Sequence, residues 1–143
     1  MNKTINNKDF FTTIKTSLNS GEHVSFFVKG TSMLPFFKDG KTEVFLTKKD
    51  QYKKRDVCLF QYNEIYVLHR LVKIKDKHQY IFQGDHTYQF EVIEKEKIIG
   101  YVYQYKDGDK VSRMSSLCIQ LKTILYLGFK KMKFWLRKVI KGV

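Results

Sequence analysis

The chain has 143 residues, of which 43% are hydrophobic and 15% are aromatic, and its formal net charge is +13. This length and composition suit one folded domain with a modest core, and they exclude an intrinsically disordered chain. No run of residues approaches the roughly 18 to 20 consecutive apolar residues that a membrane-spanning helix needs. We expect no secretory signal at the start of the chain, because its first residues lack an apolar core.

The positive charge is concentrated towards the end of the chain. Residues 110–143 contain nine Lys or Arg and no Asp or Glu, so they carry +9 of the total charge of +13. This distribution favours a basic segment that is attracted to an anionic surface over a protein that binds nucleic acid along its whole length. We therefore expect no nucleic acid partner, and nucleic-acid binding through this basic segment is the weaker alternative.

Hydrophobic periodicity predicts a short helix followed by a series of strands. The helix covers residues 8–19, since Phe11, Ile14 and Leu18 recur at helical spacing and a glycine follows. Short β-branched and aromatic runs, separated by charged or glycine-containing turns, predict the strands. They cover residues 24–29, 43–47, 57–62, 65–74 and 79–82, with a last strand around 98–102 that ends at a polar break at 105–110.

The two cysteines, Cys58 and Cys118, lie sixty residues apart, and neither belongs to a Cys-x-x-Cys motif or a Cys/His cluster. A zinc site is therefore not expected. The favoured interpretation is two unpaired cysteines that act as small apolar residues. A disulfide between them is the alternative.

The stretch from Gly30 to Gly40 contains the only proline of the chain and a serine shortly before it. Pro35 fixes its own backbone and disfavours helix at Leu34, and the flanking glycines permit sharp turns. We predict a strand that ends at a rigid turn with Ser32 at its mouth, where a nucleophile is held stiffly and faces a substrate. A serine in such a turn is ordinarily a turn residue or a helix cap, so this motif alone is weak.

Two further motifs follow on later parts of the predicted sheet. His69 precedes Arg70 within the long strand 65–74, and imidazole titrates near neutral pH, which suits a general base. Asp85 follows Gly84 in a predicted tight turn. Each of these residues alone is more often structural than functional.

Together these motifs resemble the conserved boxes of type I signal peptidases and of the related LexA-type peptidases. The resemblance covers residues 24–105, with the boxes in the same order and at similar spacing. The boxes are Ser-Met-x-Pro at 32–35, His-Arg at 69–70, Gly-Asp at 84–85 and Ile-Ile-Gly at 98–100. Histidine instead of lysine at the base position resembles the endoplasmic-reticulum and archaeal type of signal peptidase.

The resemblance implies a mainly β fold, the coiled sheet of the signal-peptidase and LexA-type core, and the activity of a serine endopeptidase. Ser32 would be the nucleophile, His69 the general base, and Asp85 the residue that orients His69. Glu91 is the alternative to Asp85 for this last role. Neither a cofactor nor a metal ion is expected.

The resemblance also implies a polypeptide precursor as the substrate, from which a signal or leader peptide is removed. Gly30, Met33 and Leu34 are the candidate substrate-binding residues, and for Met33 and Leu34 packing beneath the pocket is the favoured interpretation. Family members usually carry a serine two residues before the nucleophile, which helps to hold the oxyanion. Because Gly30 stands at that position here, we expect the backbone N–H of Ser32 to serve as a donor.

Residues 115–140 predict one long helix, in which apolar residues from Leu117 to Val139 form a stripe. Its basic and aromatic residues are typical of a helix that lies on anionic lipid. Docking of the helix on the body of the protein or on a partner protein is the alternative. The residues expected to contact the membrane are Lys130, Lys131, Lys133, Trp135 and Arg137.

We therefore predict a peptidase-like domain at residues 1–108 and a basic amphipathic helix at 109–143. The hypothesis is a bacterial peripheral membrane protein that cleaves precursors at or near an anionic membrane surface, on a side that the sequence leaves open. One alternative is a catalytically weak membrane-binding module of the same fold. The other is a LexA-like self-cleaving regulator, which is weakened because we expect no DNA-binding domain before Ser32 and no lysine occupies the base position.

Overall fold

The computed structural model describes residues 7–142, which form one antiparallel sheet, a short helix before it and a long helix after it. The helices are α1 (Asn7–Asn19) and α2 (Leu117–Lys141), and a short 3-10 helix covers Lys95–Lys97. The strands are β1 (Val24–Phe27), β2 (Thr42–Thr47), β3 (Val57–Tyr62), β4 (Ile65–Ile74), β5 (Gln79–Gln83), β6 (Phe90–Glu94), β7 (Ile98–Asp107) and β8 (Lys110–Arg113).

The strands lie in the order β1-β2-β7-β3-β4-β5-β6, and β8 pairs with β7. All of these pairs are antiparallel. The mainly β fold predicted from the resemblance is confirmed, with the short helix before the sheet and the long helix after it. This order places β4, β5 and β6 side by side, and two residues of the candidate site described below lie on β4 and β6.

The sheet buries two hydrophobic clusters. α1 covers the larger one, in which Ile14 and Leu18 are buried, as their spacing predicted. Leu18 packs directly on the backbone of Gly100 in β7, where a Cβ would lie 3.0 Å from its Cδ1 atom. The smaller cluster contains Phe60 and Phe82, whose ring centroids are 4.5 Å apart. Burial of these side chains removes apolar surface from water and stabilises the sheet.

The sheet is more extensive than the sequence pattern predicted. β6 was not predicted. Its apolar residues do not mark the buried face of the strand, because Phe90 and Val92 are exposed while Ile93 is buried. β8 was not predicted either, because the stretch around Gly108 reads as a polar break. It is instead a tight hairpin in which Asp107 pairs with Lys110. The sheet therefore continues past residue 108.

α2 has two different sides. The helix begins after Ser116, whose Oγ accepts a hydrogen bond from the N–H of Ile119 at 3.3 Å. Its inner side is buried at Ile119, Thr123 and Lys130. The predicted apolar stripe lies on the opposite side and is exposed, with Trp135 62% accessible. Within residues 7–142, no helix combines the length and the apolar character needed to cross a membrane.

We expect only one thiol to react in the folded protein. The structure confirms that both cysteines are free: Cys58 is fully buried in β3, and Cys118 is exposed on α2. Burial raises the pKa of the Cys58 thiol, which disfavours the reactive thiolate. A maleimide should therefore modify one thiol rapidly in buffer and the second only in denaturant. Cys118→Ser should abolish the rapid reaction, and rapid labelling of Cys58 would contradict its burial.

Candidate active site

The segment that joins β1 to β2, residues 28–41, is called the serine turn below. Two backbone hydrogen bonds close it: the N–H of Val28 donates to Thr42 O at 2.9 Å, and the N–H of Gly40 donates to Val28 O at 2.7 Å. Gly30 adopts φ +85°, which favours glycine. Its N–H donates to the Asp39 carboxylate at 2.9 Å. The turn is therefore built as a closed loop, as its glycines predicted.

The residues after Ser32 anchor the serine turn in the core. Met33 is only 1% exposed, and its carbonyl accepts the N–H of the buried Phe37 at 2.9 Å. The Met33 side chain therefore packs beneath the turn, which is the placement that the sequence favoured over a contact with substrate. Leu34 is partly exposed and lines a cleft beside the turn, while Ser32 itself is half-buried. Substrate binding by Leu34 and Gly30 stays a prediction.

His69 lies on β4 and is held by an acidic residue two strands away. The ring is 8% exposed, and its Nδ1 atom lies 3.0 Å from Oε2 of Glu91 on β6. The two residues are close because β5, which separates their strands, is flanked by β4 and β6 in a regular antiparallel arrangement. A carboxylate on Nδ1 fixes the ring orientation and leaves Nε2 to face the other way.

Gly84 lies close to both the backbone of Ser32 and the ring of His69. A Cβ atom on Gly84 would lie 2.9 Å from His69 Nε2 and 2.8 Å from the carbonyl oxygen of Ser32. The N–H of His86 donates to the same carbonyl at 2.8 Å, which ties the Gly-Asp turn to the serine turn. The Nε2 atom of His69 therefore lies beside the backbone of Ser32, with room that only a glycine leaves.

Asp85 does not contact His69, which corrects the favoured expectation. Its two carboxylate oxygens accept hydrogen bonds from Arg70 Nε and Nη2, both at 2.7 Å. Both residues are only 1% exposed. Arg70 follows His69 on β4, so the two side chains point to opposite faces of the sheet. Asp85 pairs with the face that carries Arg70, and the alternative residue, Glu91, is the partner of His69.

α2 contacts the same Gly-Asp turn from outside. The hydroxyl of Tyr126 donates to Asp85 O at 2.8 Å, and Lys130 Nζ donates to Gly84 O at 2.8 Å. Burial raises the pKa of Tyr126, so its hydroxyl stays protonated as a donor, and burial lowers the pKa of Lys130. Lys130 is only 8% exposed. This corrects the expectation that Lys130 contacts a membrane.

Three contributors to this site were missed or underrated by sequence reasoning. Arg70 was noted only as part of a motif, although an arginine inside an apolar strand signals a buried partner. Gly84 was interpreted as a turn residue, although its lack of a side chain is what allows the Ser32 carbonyl and the His69 ring to lie close to it. Tyr126 carried no recognisable signal, because its contact depends on how α2 folds back on the sheet.

We expect Gly84→Ala to impair catalysis far more than folding. The new methyl group would overlap the Ser32 carbonyl and the His69 ring, so one of them must move by a substantial fraction of an ångström. Displacement on this scale reduces kcat/KM by about 100-fold, while overpacking destabilises a protein by about 1–3 kcal/mol. Gly128→Ala is the matched control, since nothing lies within 4 Å of its Cβ position. Normal turnover of Gly84→Ala would contradict the proposed geometry.

We expect Glu91→Gln to slow peptide cleavage without unfolding the protein. The amide preserves the size of the side chain but loses the charge that stabilises a protonated His69 ring. Its NH2 group is a donor, and when it faces Nδ1 it favours the wrong tautomer of the ring. Loss of this group in a triad lowers kcat by about 10²- to 10⁴-fold. Glu94→Gln, an exposed position on the same strand, should cleave normally. Equal rates for the two variants would show that Glu91 has no role in orienting His69.

Within residues 7–142, no group of three or more His, Cys, Asp or Glu side chains is arranged to hold a metal ion. The family model described as Peptidase S24-like matches residues 2–103. The match includes the serine turn, His69, the Gly-Asp turn and Glu91, and it ends before α2. No curated protein matches the chain.

Proposed function

Because the chain belongs to the S24-like peptidase family, we propose that it is a serine endopeptidase in which Ser32 is the nucleophile and His69 is the general base. Membership implies a serine peptidase or a LexA-like self-cleaving protein. The single observation that supports the proposed pair is the placement of His69, with Nδ1 on Glu91 and Nε2 beside Ser32 at Gly84. This places the base between the orienting acid and the turn that carries the nucleophile, which is the order of a catalytic triad.

In the proposed reaction, Ser32 Oγ attacks the scissile carbonyl while His69 Nε2 takes the hydroxyl proton. The same nitrogen then gives this proton to the departing amine, and water releases the acyl group in a second step with the same residues. Glu91 stabilises the charged ring between these transfers. The backbone N–H of Ser32 is the proposed donor to the oxyanion, because Gly30 provides no hydroxyl.

We propose a polypeptide precursor as the substrate, cleaved at a signal or leader peptide near an anionic membrane surface. The support is the exposed side of α2, where an apolar stripe that includes Leu121, Leu125 and Trp135 lies opposite the docked side. Exposed lysines such as Lys131 flank this stripe. An apolar face with flanking lysines is the arrangement of a helix that lies in a membrane interface.

Cleavage of a diverse peptide mixture, read by mass spectrometry, tests the peptidase proposal. Wild type, Ser32→Ala and His69→Ala are compared with and without anionic liposomes. We expect cuts that vanish in both variants and that become more frequent with liposomes. If every cut persisted in both variants, the cleavage would belong to a contaminant, and the absence of any cut that depends on Ser32 and His69 would contradict the proposal.

The same samples separate the rival functions. Strong liposome binding without any cut would favour a membrane-binding module of this fold. Fragments of the chain itself, absent from Ser32→Ala, would favour a self-cleaving regulator. For the membrane proposal, Leu121→Glu with Leu125→Glu should abolish liposome co-sedimentation, whereas Val111→Glu on β8, which is equally exposed, should not. Retained binding of the double variant would overturn the proposed contact.

A further inference from the structure

A cleft of about 820 Å³ lies between the serine turn and α2. This volume falls within the range of ligand-binding pockets. Leu34 and Pro35 form part of one wall, and the turn after β5 supplies His86. The opposite wall is the inner edge of α2, where Phe129, Lys133 and Arg137 contribute. The cleft is therefore open to solvent between two elements that are fixed to each other through the Gly-Asp turn.

The cleft lies next to the serine turn and the Gly-Asp turn, which supply part of its lining. Leu34 and Pro35 lie two and three residues after Ser32 in the chain, and the N–H of His86 donates a hydrogen bond to the Ser32 carbonyl. A polypeptide that lies across Ser32 would therefore place residues on one side of the scissile bond in the cleft. Its walls are thus able to select substrates by the sequence that flanks the bond.

The charge of the cleft has one sign. Asp85 is the only acidic residue among those that line it, and both of its oxygens are occupied by Arg70. Lys130 is buried at the base with its ammonium on Gly84 O. Lys133 and Arg137 are exposed on the wall. A cleft lined by one sign of charge concentrates oppositely charged groups, and a like-charged segment is rejected.

We propose that this cleft binds an acidic segment of the polypeptide substrate, next to the bond that is cut. The proposal rests on the peptidase function proposed above and adds the class of substrate to it. Carboxylates of the segment would pair with Lys133 and Arg137, and aromatic side chains of Tyr88, Tyr126 and Phe129 would contact its apolar atoms. Part of the basic charge at the end of the chain would therefore contribute to substrate specificity.

Matched peptides test this proposal. Two alanine-rich peptides carry a run of glutamates, one peptide before the alanines and the other after them. Two control peptides have the same sequences with glutamine in place of each glutamate. Binding to Ser32→Ala is measured by fluorescence anisotropy, and kcat/KM is measured with the active protein. We expect one glutamate peptide to exceed its glutamine isostere by about tenfold in both quantities at low salt. The difference should shrink as salt is raised.

Charge reversal identifies the residues. Lys133→Glu with Arg137→Glu should remove or invert the preference for glutamate, whereas Lys110→Glu with Lys122→Glu changes the net charge equally and should preserve it. All four positions are exposed. Equal binding of glutamate and glutamine peptides to Ser32→Ala would overturn the proposal. So would a reversed-charge variant that keeps the peptide preference and loses only binding to anionic vesicles, because these residues would then face a membrane.

The two proposals fail in distinguishable ways. A binding preference without cleavage of any peptide by the active protein would contradict the peptidase function and leave the acidic-segment cleft in place. Cleavage of glutamate and glutamine peptides at equal rates would contradict the cleft and leave the peptidase in place.

Discussion

Ser32→Ala and His69→Ala are each expected to reduce cleavage by about 10³- to 10⁶-fold, the largest effect of any substitution considered for this chain. The alanine at 32 removes the attacking oxygen, and the alanine at 69 removes the group that accepts its proton. Neither change should unfold the protein, since Ser32 is half-buried and the His69 ring lies at the margin of the smaller cluster. The measurement is kcat/KM on a peptide that wild type cleaves.

Two exposed residues provide controls for this prediction. Ser115→Ala and His78→Ala change the same residue types at positions away from the serine turn, and they should cleave at the wild-type rate. Circular dichroism and thermal unfolding should be unchanged in all four variants. Full activity of Ser32→Ala in a folded protein would remove Ser32 from the mechanism.

Asp85→Ala is expected to destabilise the fold by about 3–5 kcal/mol. The substitution leaves the Arg70 guanidinium buried without the carboxylate that accepts two of its hydrogen bonds. Most domains unfold with a free energy of only about 5–15 kcal/mol, so a large part of the stability would be lost. Urea unfolding measures the change, seen as a lower midpoint with an unchanged slope.

A variant that removes both charges of the Arg70–Asp85 pair provides the decisive comparison. Removal of both charges, as in Arg70→Met with Asp85→Leu, should cost much less than Asp85→Ala, because no unpaired charge remains buried. Asp50→Ala, at an exposed position, should change stability by less than about 0.5 kcal/mol. An Asp85→Ala protein as stable as wild type would show that the Arg70 ion pair contributes nothing. It would also reopen a direct catalytic role for Asp85.

The sequence identified the parts of the site that depend on local pattern. The glycines and the proline around Ser32 predicted a stiff turn, and the turn is closed by local hydrogen bonds. The choice between Asp85 and Glu91 depended on β6, which the sequence did not reveal because Phe90 and Val92 are exposed. Without that strand, nothing in the sequence places Glu91 two strands from His69.

The long helix shows a similar division between local and tertiary information. Its extent followed from periodicity, and the structure adds Ser116 as the N-terminal cap. Three further apolar residues lie outside the predicted stripe, on the side of the helix that faces the sheet and its turns: Ile119, Leu127 and Phe134. Two apolar sides on one helix predict contacts with two different surfaces. Periodicity does not say which side packs on the sheet, because that depends on tertiary contacts such as the hydrogen bond from Lys130 to the Gly-Asp turn.

The most direct test of the central claim is kcat/KM for Ser32→Ala, His69→Ala and the double variant on one cleaved peptide. If the two residues act as a unit, the double variant should be no slower than the slower single variant, because either change already abolishes the same step. Multiplicative losses, or a His69→Ala protein that retains most of the wild-type rate, would contradict the account in which His69 activates Ser32.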